Sequence, residues 1–231
     1  MNFLLRAGFI VHLAALPAVD VRDVQIPSFD KSPLAATYYN PGLPGPGVVI
    51  FRNCDQTRTS VDGFARKLAQ RGAHVVVYDY RGGLAEGRSW RETRNGDADR
   101  VHAWLSSMPG VDRTRLAAVG GSCGVALTLD FAAKHADQIR GIVVLSGPGD
   151  SAQRAFIARS PRIGVLGATS DGDGPGGVAN VEPIVKASSS KASRMFVLPT
   201  GHGMDILKAN TAFEKTALDF LGAQLSLSHR E

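Results

Sequence analysis

Leu116-Ala117-Ala118-Val119-Gly120-Gly121-Ser122-Cys123-Gly124-Val125-Ala126-Leu127 decides how this chain is read. A short apolar run ends in Gly-x-Ser-x-Gly, and a helix-forming run begins at once. That is the sequence form of a nucleophile elbow: a strand stops, the chain turns tightly, and one serine is held at the apex with its hydroxyl exposed. Glycines on either side suit the geometry, because the turn is strained and strand and helix pass too close for side chains. The helix that follows sets its first amides, and the positive end of its dipole, beside the serine.

Outward from this point, strand-like and helix-like runs alternate. Strands are expected at 47–51, 74–80, 116–119, 141–146, 163–168 and 194–198, and helices at 61–71, 97–107, 124–135, 178–190 and 211–225. Most of the strands are continuous apolar runs, as strands covered on both faces are. Regular alternation of this kind implies a parallel sheet with right-handed crossovers. Before it, 23–29 and 34–39 read as an antiparallel edge closed by the turn-rich 40–47, and the Gly-rich 170–177 reads as a loop between core elements. The expected fold class is therefore α/β: one domain, a mostly parallel central sheet with an antiparallel N-terminal edge, and helices on both faces. A chain of 231 residues suits one sizeable domain.

Composition narrows the function. With 44% hydrophobic and 20% charged residues the chain is globular. The net charge of +5 invites a nucleic-acid reading, but the arginines are scattered among acids and form no basic strip, so no nucleic-acid partner is expected. One concentration, Arg81, Arg88, Arg91, Arg94 and Arg100, is either a solvated face or a rim that draws anionic substrates. There is no spaced His/Cys/Asp/Glu cluster, so neither a metal nor another cofactor is expected. Residues 7–16 are apolar apart from His12 and too short to span a bilayer. Residues 1–18 are thus a signal peptide cleaved near Ala18 or an N-terminal extension, and residues 19–231 are the domain; an exported and a cytoplasmic location stand equal. No other stretch could form an integral membrane span.

The order of chemical groups is the next clue. After Ser122 come Asp171, following the strand at 163–168, and then His202 in Pro199-Thr200-Gly201-His202-Gly203, just before the last helix. In this order and spacing the chain resembles the α/β-hydrolase family, and within it the small, lidless dienelactone-hydrolase-like esterases, over about residues 22–225. The resemblance implies a triad of Ser122, Asp171 and His202, with Asp173 and Asp150 as rivals for the acid. A serine hydroxyl is barely nucleophilic without a base to take its proton, and His202 would be that base. His74 opens a strand, His102 and His135 lie on helices, and His12 and His229 are near the termini, so none fits as well.

The resemblance also implies an oxyanion hole of two backbone amides. One is that of Cys123, and the other comes from Arg52-Asn53-Cys54-Asp55, where relatives usually carry His-Gly. Aligning Asn53 with that glycine makes Cys54 the donor, give or take one residue. Cys54 and Cys123 are the chain's two cysteines. If their amides converge, their Cα atoms lie within about 7 Å, near the limit for a disulfide. Arg52 and Asn53 are candidate substrate-binding residues, Arg52 as a cation for a carboxylate or else as a structural arginine. Asp79-Tyr80-Arg81-Gly82 is similar to the family's Asp-x-Arg-Gly and is read as structural. Only fifteen residues separate Ser146 from Arg162, too few for a cap domain. The implied activity is cleavage of a small or exposed carboxylic ester through an acyl-enzyme, with a small-molecule ester as partner. The alternatives are a thioesterase or peptidase of the same fold, or a binding protein whose triad is idle.

Overall fold

Apolar side chains leave the central strands in both directions, and in the computed structural model, which describes residues 18–227, helices cover both sets. The expectations for residues 1–18 fall, Ala18 apart, outside the described residues. β1 (Asp20–Pro27) and β2 (Pro33–Asn40) form an antiparallel edge. β3 (Gly45–Phe51), α1 (Asp62–Gln70), β4 (His74–Tyr78), α2 (Trp90–Ser107) and β5 (Val111–Gly121) follow. Then come α3 (Gly124–Lys134), β6 (Ile139–Leu145), α4 (Ser151–Ala158), β7 (Gly164–Ser170), α5 (Gly174–Ala187), β8 (Arg194–Leu198), α6 (Asp205–Ala209) and α7 (Thr211–Leu225). The eight strands run in the order β1-β2-β4-β3-β5-β6-β7-β8, antiparallel through β2–β4 and parallel from there on.

Alternation within the strands splits the core in two. Val49, Val76, Ala118 and Val144 face a layer built on α2, α3, α4 and α5, while Val48, Val75, Ala117 and Val143 face α1, α6 and α7. The apolar runs are continuous because each strand is buried from both sides. Among the described residues no helix is long and apolar enough to cross a membrane.

Several boundaries differ from the sequence reading. α2 begins at Trp90 rather than 97, because Ser89 and Glu92 close a capping box ahead of it. β4 stops at Tyr78 rather than 80, since the Asp79 side chain is drawn to Arg52 and Arg58. α5 begins at Gly174, inside the expected loop. The short helices α4 and α6 were not anticipated; α4 alone connects β6 to β7.

The strand order places a switch point between β3 and β5: the chain leaves β3 toward β4 and then returns to the other side of β3. Crevices at the carboxyl ends of strands open at such a point. β3 and β5 pair in the register Ile50 to Val119 and Phe51 to Gly120. α3 then starts so close to β3 that a Cβ on Gly124 would lie 2.2 Å from the Phe51 carbonyl oxygen. Gly124→Ala is expected to destabilise the protein by about 2–3 kcal/mol in urea denaturation, because the obstacle is backbone that cannot rotate away. A loss below about 0.5 kcal/mol would show that α3 and β3 can separate freely.

Candidate active site

Ser122 follows β5 with φ +53°, the left-handed conformation an elbow demands of a residue that carries a Cβ. Its amide donates to the Leu145 carbonyl at 2.8 Å, which fixes the turn against β6. Its Oγ lies 2.9 Å from Nε2 of His202, and His202 Nδ1 lies 2.5 Å from Oδ1 of Asp173. An ionised carboxylate can only accept, so the proton of the neutral imidazole sits on Nδ1. Nε2 is then the acceptor for the serine hydroxyl.

The carboxylate that meets His202 is Asp173, and Asp171, the expected one, is exposed on the outside of the turn. The cause is local. The Gly-rich segment winds into a single 3-10 turn, Asp171–Asp173, with three residues per turn. That winding folds Asp173 back over the end of β7 and turns Asp171 away. Asp150, the other rival, caps α4 by accepting from the Gln153 amide at 2.8 Å and pairs with Arg91 at 2.7 Å.

The Asp173 side chain is 8% exposed and richly solvated by protein donors. Its Oδ2 accepts from Ser146 Oγ, from Thr169 Oγ1 at 2.8 Å and from the Ser170 amide at 3.3 Å. Burial pushes its carboxyl up, but the hydrogen bonds from Ser146, His202, Thr169 and Ser170 outweigh it and hold the group below its ordinary value. Ser146 was not identified from the sequence. It follows β6 as Ser122 follows β5, with the same φ of +53° and its amide bonded to Ala168 of the next strand.

His202 sits in a loop held from below by Asn53. The Asn53 Oδ1 accepts from the Met204 amide at 2.9 Å, and Nδ2 donates to the His202 carbonyl at 3.4 Å. Gly203 between them has φ +55°, and a Cβ there would stand 2.2 Å from Asn53 Oδ1. The imidazole itself is 54% exposed.

Arg52 and Asn53, candidates for substrate contact, are turned inward, 4% and 1% exposed, so Arg52 takes the structural alternative. Arg52 Nε pairs with Asp79 Oδ1 at 3.1 Å, its Nη1 donates to the Asn53 carbonyl, and its guanidinium stacks 4.3 Å above the Tyr80 ring. Such a cation is already neutralised and desolvated. Asp79 also accepts from the Arg58 amide and side chain, so the Asp79-Tyr80-Arg81-Gly82 segment braces this loop. Most of the arginine concentration is likewise engaged: Arg81 with Asp97 and Asp30, Arg91 with Asp130 and Asp150. Arg94 is buried and donates to the Arg81 carbonyl.

Cys54 and Cys123 are joined by a disulfide, with Cα atoms 5.9 Å apart. Neither amide has an acceptor among the described residues. Among those residues no group of three or more His, Cys, Asp or Glu side chains could hold a metal.

The donors around Asp173 make a stability prediction. A carboxyl whose folded value is depressed stabilises the fold above its unfolded value of about 3.9, and that contribution disappears as the pH falls through the folded value. Ser146→Ala keeps the Cβ, hence the backbone cost, and removes one donor to a charged acceptor. It is expected to lose about 1–2 kcal/mol at pH 7. In urea titrations the gap to wild type narrows as the pH is lowered below about 3.9. A gap independent of pH would mean that the hydroxyl does not act on the carboxylate charge.

A family model described as alpha/beta hydrolase fold matches residues 38–164. No curated protein matches the chain by sequence. Among solved structures, a dienelactone hydrolase from Anabaena variabilis superposes with a TM-score of 0.73 at 16% identity, covering 90% of this chain and 100% of that one. An esterase of Pyrococcus furiosus gives 0.72 at 14% identity, covering 90% and 92%. A Pyrobaculum calidifontis esterase gives 0.65 at 20% identity, covering 91% and 86%. At these identities the likeness is one of fold. The family model spans more than half of the chain, from the antiparallel edge through the elbow to β7, and the chain belongs to the alpha/beta hydrolase fold family.

Proposed function

We propose that this protein is a serine hydrolase that cleaves small or exposed carboxylic esters through an acyl-enzyme. The observation that carries the proposal is the unbroken relay from Ser122 Oγ through His202 to Asp173, at 2.9 and 2.5 Å. Ser122 attacks the ester carbonyl as His202 Nε2 takes its proton, and Asp173 holds the tautomer and stabilises the imidazolium. The amides of Cys54 and Cys123, free of protein acceptors among the described residues, are the proposed donors to the tetrahedral oxyanion. His202 then returns the proton to the leaving alkoxide, and a water repeats the sequence on the acyl-enzyme. The exposed imidazole and the single short helix between β6 and β7 favour substrates whose ester is accessible.

The binding-protein alternative drew on the replacement of His-Gly by Arg52-Asn53. Those side chains brace the loop from inside, and the Cys54 amide has no acceptor among the described residues, so the replacement does not argue for an idle triad.

Purified protein is expected to hydrolyse p-nitrophenyl acetate and butyrate and to be labelled on Ser122 by a fluorophosphonate. Ser122→Ala should abolish the label and lower kcat/KM by roughly 10^4-fold or more. Equal inertness of both proteins, with no label, would sink the esterase reading. The matching thioester and anilide separate thioesterase and peptidase activity from it. A second pair of variants tests the acid: Asp173→Asn is expected to lower kcat by roughly 10^4-fold through the wrong imidazole tautomer. Asp171→Asn is expected to leave kcat close to wild type, and the reverse ranking would return the role to Asp171.

A further inference from the structure

The disulfide occupies an unusual place. The β3–β5 register pairs residues 69 apart, and Cys54 and Cys123 are also 69 apart. The bond thus continues the strand pairing three residues beyond Phe51 and Gly120, where no ladder remains. It spans the gap between the loop after β3 and the elbow itself, one residue from Ser122.

The two ends of this bridge are secured in different ways. Cys123 is fixed by its neighbours: the Ser122 amide is tied to Leu145, and the Val125 amide returns to the Ser122 carbonyl. Cys54 stands one residue past Asn53, whose side chain is gripped by the histidine loop. The peptide that carries the Cys54 amide is held through the Asn53 carbonyl, which accepts from Arg52 Nη1 at 2.9 Å and from the Gln56 amide at 3.3 Å, and the loop is next tied down at Gln56, to Asp205, and at Arg58, to Asp79. None of these bonds reaches the elbow, and the sulfur bridge is what ties the loop carrying the Cys54 amide directly to the residue after Ser122. Cys54 is also exposed, so a thiol from solution can reach the bond.

Resting on the ester-hydrolase reading above, we propose that the Cys54–Cys123 disulfide is a positioning element of the oxyanion hole. It sets the separation of the two donor amides, and its reduction by an external dithiol disables the enzyme while the triad stays assembled. The reaction is ordinary exchange. A thiolate of the dithiol attacks Sγ of Cys54, forming a mixed disulfide and expelling the Cys123 thiolate. That anion leaves at the N-terminus of α3, where the helix favours negative charge. The second thiolate of the reagent then closes its own disulfide and expels the Cys54 thiolate. Two electrons and two protons pass from the dithiol to the protein, and exchange with an oxidised dithiol reverses it.

None of the hydrogen bonds that hold the Ser122–His202–Asp173 relay involves Cys54 or Cys123, so the expected signature is specific. Loss of one oxyanion donor costs about 10^2–10^3 in kcat, so a displaced one is expected to cost roughly ten- to a hundredfold, with KM little changed. Affinity for a trifluoromethyl ketone, whose adduct with serine places an oxyanion in the same hole, should fall in step.

The test compares oxidised wild type with wild type reduced by dithiothreitol and freed of reagent under nitrogen, with thiols titrated from none to two. The expected result is the loss of kcat and of ketone affinity, an unchanged near-UV circular dichroism spectrum, and recovery on reoxidation. The Cys54→Ser/Cys123→Ser double variant should be slow from the start and indifferent to dithiothreitol. Two free thiols with an unchanged kcat would overturn the proposal. So would collapse of the near-UV spectrum together with activity, since the bond would then hold the whole fold. An oxidised enzyme that neither hydrolyses ester nor takes the fluorophosphonate refutes the ester-hydrolase reading itself. An active enzyme indifferent to reduction refutes only the role of the disulfide.

Discussion

The parallel pairing of β3 with β5 is the constraint from which the site follows. Adjacent parallel strands end on the same side of a sheet, so the chains leaving Phe51 and Gly121 emerge next to each other. One carries the loop of Arg52, Asn53 and Cys54, and the other carries the elbow and α3. Had β5 been added outside β4 instead, the two loops would lie more than one strand spacing apart, about 4.8 Å per step, and no pair of amides could converge. The reversal at β3 also sends α1 and α2 to opposite faces of the sheet, which leaves a crevice above the switch point. Gly124 is what lets α3 begin immediately against Phe51.

The loop after β3 is held by charge that is mostly hidden from water. Arg52 and Arg58 share Asp79, and Tyr80 lies under the Arg52 guanidinium while donating to the Arg52 carbonyl. Removing two cations and a carboxylate from solvent is expensive, and such a group is tolerable only when each member is paired. What the arrangement fixes is direction. Asn53 is left with its amide side chain under the histidine loop, touching both the Met204 amide and the His202 carbonyl. One residue thereby ties the loop after β3, which carries Cys54, to the loop after β8, which carries His202.

How much of this was legible in the sequence depended on how local the determinant was. The elbow, the histidine flanked by glycines and the continuous apolar strands are short patterns, and each sits where its pattern placed it. The proximity of the cysteines was legible too, because the family resemblance set both at the ends of neighbouring strands, on loops expected to converge. The acid was not, because a Gly-rich segment has no periodicity to say which way each carboxylate turns. Asp171 and Asp173 differ only in their phase on one 3-10 turn. Arg52 stayed open for a different reason: an arginine beside a site reads as a ligand cation or as a structural group until its partner is known, and that partner, Asp79, lies on another strand's loop. The missed helix start at Trp90 had a local signal, Ser89 followed three residues later by Glu92, as did α4 in Asp150 and Gln153.

Ser122 and Ser146 show how the sheet builds both ends of the relay with one device. Each is the first residue after its strand, each adopts φ +53°, and each sends its amide to a carbonyl near the carboxyl end of the neighbouring strand, Leu145 for one and Ala168 for the other. A non-glycine residue in this conformation costs about 1–3 kcal/mol and persists only where its surroundings over-determine it. The same strained turn therefore appears twice in adjacent strands for a reason that packing alone does not supply. In the first, the hydroxyl is presented to His202; in the second, it is presented to Asp173. A donor on Asp173 keeps that carboxylate ionised, an ionised carboxylate keeps the proton on Nδ1, and a proton on Nδ1 leaves Nε2 open to the first serine. The strain at Ser146 thus supports the protonation state that gives the strain at Ser122 its use.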